Sequence, residues 1–266
     1  MNKLRVLDLF SGIGGFSLGL EKTGGFETVA FCEIEEFPRK VLAKHWPNVP
    51  CYRDVRELTA DVLAADGIFV DVITGGFPCQ DISIAGNQSG MGEGTRSGLW
   101  SEIDRLIGEL APRYVIVENV TALLDGPREK RGGWFGRVLG DLAARGYNAE
   151  WEDIPASALG AIHPRERVWV MAYPDGSGHA GRRVFSFFDR QTATEFSGRQ
   201  LQIGKAVYDG LGGSIWDTNA PCIRRLGNGF PDRLDRIRAA GNAVVPQIPE
   251  MIGRAILTSI RDSHAA

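Results

Sequence analysis

Along the first two thirds of the chain, short apolar runs alternate with stretches whose apolar positions recur every three or four residues. Leu4–Phe10 (LRVLDLF) reads as a buried strand, Ser11–Gly15 as a glycine-rich turn, and Phe16–Lys22 as a helix. Glu27–Glu33 (ETVAFCE) predicts a second strand, followed by a helix over Phe37–His45 with Phe37, Val41 and Leu42 on its apolar face. Phe69–Gly75 predicts a third strand. Leu99–Leu110 has helical spacing at Ile103, Leu106, Ile107 and Leu110 and stops before Pro112. Tyr114–Glu118 predicts a fourth strand, Trp134–Arg145 a helix ending at Gly146, and Val168–Ala172 a further strand. Strands alternating with helices predict a parallel, doubly wound α/β sheet. The alternation stops after Tyr173. Asp175–Asn219 is rich in Gly, Ser, Arg and aromatic residues without a period and reads as an insertion or small subdomain, and helical spacing returns over Val245–Ile260.

Composition narrows this little. The 266 residues, 43% apolar and 24% charged, suit one large globular domain, or one with a small appendage. The opening MNKLRVLDLF lacks the pattern of a signal peptide, and no apolar run approaches the ~20 residues of a membrane span. The four cysteines, Cys32, Cys51, Cys79 and Cys222, follow no zinc spacing, so free thiols in a reducing cytoplasm are expected, with no metal site. The net charge of −3 argues mildly against nucleic acid, but its distribution is uneven. Residues 1–162 carry 16 basic against 23 acidic side chains, residues 163–238 carry 12 against 8. Such asymmetry suits a basic surface on an otherwise acidic protein, though solvated charge varies this much by chance.

Two loops carry candidate chemistry. Asp8–Gly15 joins the first strand to the first helix, where glycines let the backbone approach a ligand and a helix N-terminus favours an anionic group. Glu33, ending the second strand, is placed to accept from ribose hydroxyls, and Asp54 from an adenine amino group. Together they point to a nucleoside cofactor, although a glycine-rich turn is often only a turn. Gly75–Ser83 (GGFPCQDIS) leaves the carboxyl end of the third strand, where open α/β sheets bind ligands. There the glycines and Pro78 would present Cys79 outward as a nucleophile rather than as a buried hydrophobe. Glu118, at the end of the fourth strand in Glu118-Asn119-Val120, would resist ionisation beside apolar surroundings and so donate a proton or hydrogen bond. The plain alternative is a surface or capping acid.

The segments DLFSGIGGFSLGL, Glu33, Asp54, GGFPCQDIS, ENV, His163-Pro164-Arg165-Glu166-Arg167 and Gly241–Pro246 occur in the order found in DNA cytosine-5 methyltransferases of bacterial or phage type, and the chain resembles that family over residues 4–173 and about the last thirty. The resemblance implies a Rossmann-like S-adenosylmethionine-dependent methyltransferase fold with a small target-recognition lobe. Residues 1–173 would form the catalytic domain, 174–226 the recognition region, and 227–266 a segment returning to complete the catalytic domain. Cys79 resembles the nucleophile that attacks C6 of a cytosine flipped out of double-stranded DNA. Glu118 resembles the acid at N3 and the exocyclic amine, Arg167 the arginine at O2, and Arg165 its ordering neighbour. Phe10, Ser11, Gly12, Ile13, Gly15, Glu33, Asp54, Pro78, Leu99 and Asn242 would line the S-adenosyl-L-methionine pocket. His163 stands where many family members carry glutamine, and the recognition region is short. The stretch 84–97 (IAGNQSGMGEGTRS), with glycines at 86, 90, 92 and 94 and Gly98 just beyond, reads as a lid over the flipped base. A cytoplasmic monomer without membrane association is expected, and a cognate restriction endonuclease is a partner the resemblance allows but the sequence does not write. A tRNA cytosine-5 methyltransferase and a catalytically inactive DNA-binding homologue remain as alternatives.

Overall fold

A computed structural model describes residues 2–77, 99–126, 132–156, 165–176 and 243–265. Among them seven strands form one sheet: β1 (Leu4–Leu9), β2 (Phe26–Cys32), β3 (Cys51–Tyr52), β4 (Val72–Gly75), β5 (Tyr114–Val120), β6 (Tyr147–Pro155) and β7 (Glu166–Pro174), in the order β3-β2-β1-β4-β5-β7-β6. The helices are α1 (Gly15–Glu21), α2 (Glu36–His45), α3 (Ala60–Ala65), α4 (Trp100–Leu110), α5 (Ala122–Asp125), α6 (Gly133–Ala144) and α7 (Gln247–Ala265).

The central strands are mostly apolar because both faces of the sheet are covered. On one face Leu7, Leu9, Ile73, Val115 and Val117 pack with Trp100, Ile103 and Leu106 of α4 and Val138 and Leu142 of α6. On the other, Val6, Val72, Ile116, Trp169 and Met171 pack with Phe16 and Leu20 of α1 and Met251, Ile252 and Ile256 of α7. The alternation follows from the two-residue period of a strand. The C-terminal helix docks on α1 through glycine. A Cβ on Gly15 would stand 2.5 Å from the carbonyl oxygen of Val244, and one on Gly19 would overlap that of Pro246.

The sheet is mixed, where the alternation predicted parallel pairing. β1 pairs with β2 and β4, β2 with β3, and β4 with β5, all parallel. β7 runs antiparallel to both β5 and β6. The reason lies in the connection. β6 and β7 are closed at their ends by the hydrogen bond from Ala156 N–H to the carbonyl of Arg165, too near in sequence to hold a crossover helix. β6 itself carries no alternating signal, since most of this edge strand is exposed or half-exposed. The third strand begins at Val72 rather than Phe69. Phe69 is 64% exposed, under the Arg5 guanidinium 5.4 Å from its ring centroid. Asp71 takes the Arg5 backbone N–H at 3.0 Å and its Nε at 2.8 Å, which fixes where the strand enters the sheet. β1 lies between β2 and β4; from β1 the chain runs to β2 and β3 on one side and then crosses to β4 and β5 on the other. The carboxyl ends of β1 and β4 therefore frame a topological switch point.

Candidate active site

One half of the candidate site is built where β1 turns into α1. Phe10 (φ 51°) and Gly12 (φ 52°) both adopt left-handed backbone, a strain that a non-glycine residue such as Phe10 accepts only where the surroundings enforce it. Ser11 is fastened at two points: its N–H donates to the carbonyl of Cys32 at 3.2 Å, and its hydroxyl donates to the carbonyl of Asp8. The Gly12 N–H donates to Oε2 of Glu33 at 2.7 Å and the Glu35 N–H to Oε1 at 2.8 Å, so the carboxylate is oriented by backbone from both sides. Burial nevertheless pushes the Glu33 carboxyl above its usual range, the two amides opposing it. Ile34 follows at 53% exposure and offers an apolar surface beside that carboxylate. These residues fit a nucleoside: Gly12 has open space where a Cβ would stand, each Glu33 oxygen keeps acceptor capacity for a hydroxyl, and Ile34 suits the face of a flat ring.

Asp54 lies just past β3. Its Oδ1 accepts from the backbone N–H of Arg56 at 3.0 Å and from Nε at 2.9 Å, and Oδ2 accepts from Nη2 at 2.7 Å, which holds the carboxyl below its usual range. The turn beyond it is held to α4 by Arg105, whose Nη2 donates to the carbonyls of Val55 at 3.0 Å and Leu58 at 2.9 Å. Leu99 precedes α4 and packs, half-buried, on the core with Phe10.

The second half gathers at the ends of β4, β5 and β7. Glu118 is 9% exposed. Its Oε1 meets Nε of Arg167 at 3.0 Å across the β5–β7 pair. Burial drives its carboxyl up, and the positive charges of Arg167 and Arg165 oppose the shift, so a buried acid is kept partly in check by two cations. Gly76 runs directly beneath it, since a Cβ there would stand 3.2 Å from Oε2 of Glu118. Asn119, on the opposite face of β5, donates from Nδ2 to the carbonyl of Phe77 at 3.1 Å and accepts the Val120 N–H at 2.9 Å. The strand end leading to residue 78 is thus held from both faces of β5.

Phe10, Ser11, Gly12, Ile13, Gly15 and Glu33 stand together around the β1–α1 loop, and Glu118, Arg165 and Arg167 around the ends of β5 and β7. Gly15 faces the Val244 backbone, so its missing side chain serves the docking of the C-terminal segment. Pro78, Cys79, His163, Asn242, the stretch 84–97 and all but the first three residues of 174–226 lie outside the described residues. Sequence reasoning did not single out Ile34, Asn119 as a hold on Phe77, or Arg56 and Arg105. An apolar residue directly after a strand-ending acid is the one local signal that could have found Ile34; the others are visible only as contacts.

The seven-stranded sheet, with a glycine loop after its first strand, an acid just past the second and a buried acid on the fifth, has a Rossmann-like methyltransferase fold. The C-5 cytosine-specific DNA methylase model matches residues 4–225, and the chain belongs to that family. Type II methyltransferase M.Sau3AI of Staphylococcus aureus is 36% identical over 183 residues, 65% of this chain and 44% of the relative. M.AluI of Cellulosimicrobium cellulans is 38% identical over 181 residues, 64% of this chain and 33% of the relative. The chain spans less than half the length of these two relatives. A putative DNA modification methyltransferase encoded within a prophage of E. coli superposes with a TM-score of 0.54 at 27% identity, covering 65% of this chain and 47% of that one. DNMT2 of Spodoptera frugiperda shares the fold, with a TM-score of 0.55 at 21% identity, over 68% of this chain and 53% of that one.

Proposed function

We propose that the protein transfers a methyl group from S-adenosylmethionine to C5 of cytosine in double-stranded DNA. The observation that carries this reading is the buried Glu118 carboxyl, held 3.0 Å from Arg167 and seated on Gly76, beside a β1–α1 loop that fits a nucleoside. An acid that hydrogen-bonds N3 of a pyrimidine needs a carboxyl that holds its proton, and burial raises the affinity of Glu118 for one. The proposed roles follow the family resemblance. The Cys79 thiolate forms a bond to C6 of the cytosine, and the electron pair displaced from the 5,6-double bond makes C5 enamine-like. Glu118 stabilises that electron density by hydrogen bonding at N3. Arg167 holds O2, and Arg165 orders Arg167. S-Adenosylmethionine, when bound, supplies the methyl group from its sulfonium, and Phe10, Ser11, Gly12, Ile13, Glu33, Asp54 and Leu99, with Pro78 and Asn242, hold it. After transfer, C5 loses its proton, and the C6–S bond breaks to return the thiol and restore aromaticity. The cytosine must leave the duplex to reach these groups. Residues 174–226 select the DNA sequence.

The test is a duplex carrying 5-fluorocytosine, which traps the covalent stage because fluorine does not leave as a proton does. The wild-type chain with S-adenosylmethionine forms a denaturant-stable adduct. The Cys79→Ala chain forms none and transfers no tritium from labelled cofactor. An adduct with the Cys79→Ala chain overturns the nucleophile assignment, and transfer to tRNA but not to DNA overturns the substrate.

A further inference from the structure

Asp8 has no exposed surface at all. It sits in the middle of the sheet, in register with Phe31 of β2 on one side and Thr74 of β4 on the other. Burying a carboxyl there is costly unless its oxygens are satisfied, and each is used differently. Oδ2 accepts from the Ser17 hydroxyl of α1 at 2.8 Å, and Oδ1 accepts from the Thr74 hydroxyl of β4 at 2.8 Å. The two hydroxyls belong to the two halves of the site. Ser17 lies in the first turn of α1, directly after the Phe10–Gly14 loop whose Gly12 N–H engages Glu33. Thr74 immediately precedes Gly75 and Gly76, the backbone on which Glu118 rests, and Phe77, whose carbonyl Asn119 holds.

We propose that Asp8 is a positioning residue that sets the cofactor loop and the base-binding strand end against each other, one carboxylate oxygen for each. The inference rests on the methyltransferase reading above. A carboxyl suits the task because it sets two oxygens at a fixed separation, one facing each hydroxyl, so that a single side chain meets α1 on one side and β4 on the other. An apolar residue of the same volume would fill the space without fixing α1 relative to β4. The arms are separable. The Ser17 arm governs how the chain grips its cofactor, and the Thr74 arm governs how well Gly76 and Glu118 meet the base.

The experiment measures cofactor-product affinity by calorimetry without DNA, kcat at saturating cofactor and DNA, and thermal stability, for Ser17→Ala, Thr74→Val, Thr74→Ser and Asp8→Asn. Losing one hydrogen bond to the buried Asp8 carboxyl corresponds to roughly a tenfold effect. Ser17→Ala is expected to weaken cofactor binding about tenfold with kcat within about twofold. Thr74→Val is expected to lower kcat about tenfold with cofactor affinity within about twofold, Thr74→Ser to restore it, and Asp8→Asn to impair both. Equal changes in both parameters for both hydroxyl variants, or a loss of stability with neither parameter changed, overturn the proposal. If Asp8→Asn does not fold, the two hydroxyl variants decide alone. If the unaltered chain transfers no methyl group, the activity reading fails by itself. The present inference is then judged on cofactor binding, where Ser17→Ala must weaken affinity and Thr74→Val must not.

Discussion

Arg167 brings its Nε to 3.0 Å from Oε1 of Glu118, across the antiparallel register in which Arg167 stands opposite Val120 and Glu118 opposite Trp169. The contact joins two segments far apart in the chain. It also sets a balance on one proton, because burial favours the neutral carboxyl and the guanidinium favours the anion.

Glu118→Gln keeps the shape and removes the proton balance. kcat is expected to fall by roughly two powers of ten, the range of a positioned acid, with cofactor affinity little changed. The folded-state carboxyl holds its proton more tightly than the unfolded chain does. Its contribution to stability is therefore full below about pH 4.3, the unfolded value, and lost as pH rises through the folded value. Thermal melts should accordingly show Glu118→Gln gaining on the wild type as pH rises. Loss of cofactor binding with the fold intact would assign Glu118 to the cofactor instead.

Glu33→Ala should give the opposite kinetic pattern. It strips the acceptor from the amides of Gly12 and Glu35, which flank the proposed cofactor pocket. Cofactor affinity is expected to fall about tenfold or more, as for hydrogen bonds to a charged group, while kcat at saturating cofactor stays within a few-fold. Titration calorimetry with the cofactor product, beside steady-state kinetics, separates the two.

The fully buried Asp8 carboxyl is pushed up to about 7, mainly by burial, with the hydrogen bonds of Ser17 and Thr74 working against it. The folded protein thus binds a proton that the unfolded chain releases near pH 3.9. The stability this confers is full below that value and lost as pH rises through about 7. Urea unfolding from pH 5 to pH 8 is expected to show this slope in the wild type and a flatter one in Asp8→Asn. Parallel slopes would contradict it.

Gly19→Ala places a methyl group against the Pro246 carbonyl and near the Cβ of Pro249 at 2.9 Å, both rigid neighbours. The expected cost is about 1–3 kcal/mol, typical of overpacking, read by chemical unfolding. Proteolysis should also release the C-terminal helix earlier than in the wild type. Gly136→Ala, with open space around its Cβ position, is the matched control and is expected to be neutral or slightly stabilising.

The Cys32 thiol is pushed up to about 12 by burial, with nearby Cys51, Glu33 and Asp54 adding to the shift. It should therefore stay unreactive toward a thiol reagent at pH 8 in the folded protein and label at the rate of global unfolding. Rapid labelling of Cys32, mapped by mass spectrometry, would show that the second strand opens locally.

Much of the fold was legible because its signals are local. Leu4–Leu9 and Tyr114–Val120 are mostly apolar since both faces of their strands are covered, and α4 declares itself through Ile103, Leu106 and Ile107. β6 was not legible. An edge strand with Glu150, Glu152 and Asp153 has little to bury, and its pairing with β7 is written in neither segment alone. The β1–α1 loop was legible as a cofactor turn from its glycines. That Glu33 would be oriented by amides on both sides, or that Asp54 would be gripped by Arg56, was not, because hydrogen-bond partners across a loop carry no periodic trace.

By itself the sequence determined most of the elements and their order, the residue types at the strand ends that carry the motifs, and so the family to which the chain belongs. Residue type and short-range period suffice for that, since strands and helices are set by neighbours within a few positions. Only the tertiary structure decided that β7 slots antiparallel between β5 and β6, that Arg167 meets Glu118 over Gly76, and that Asp8 joins Ser17 to Thr74. These depend on which strands lie side by side and in what register. That choice is made by burying two faces of one sheet at once, a property of the whole chain that no local stretch contains.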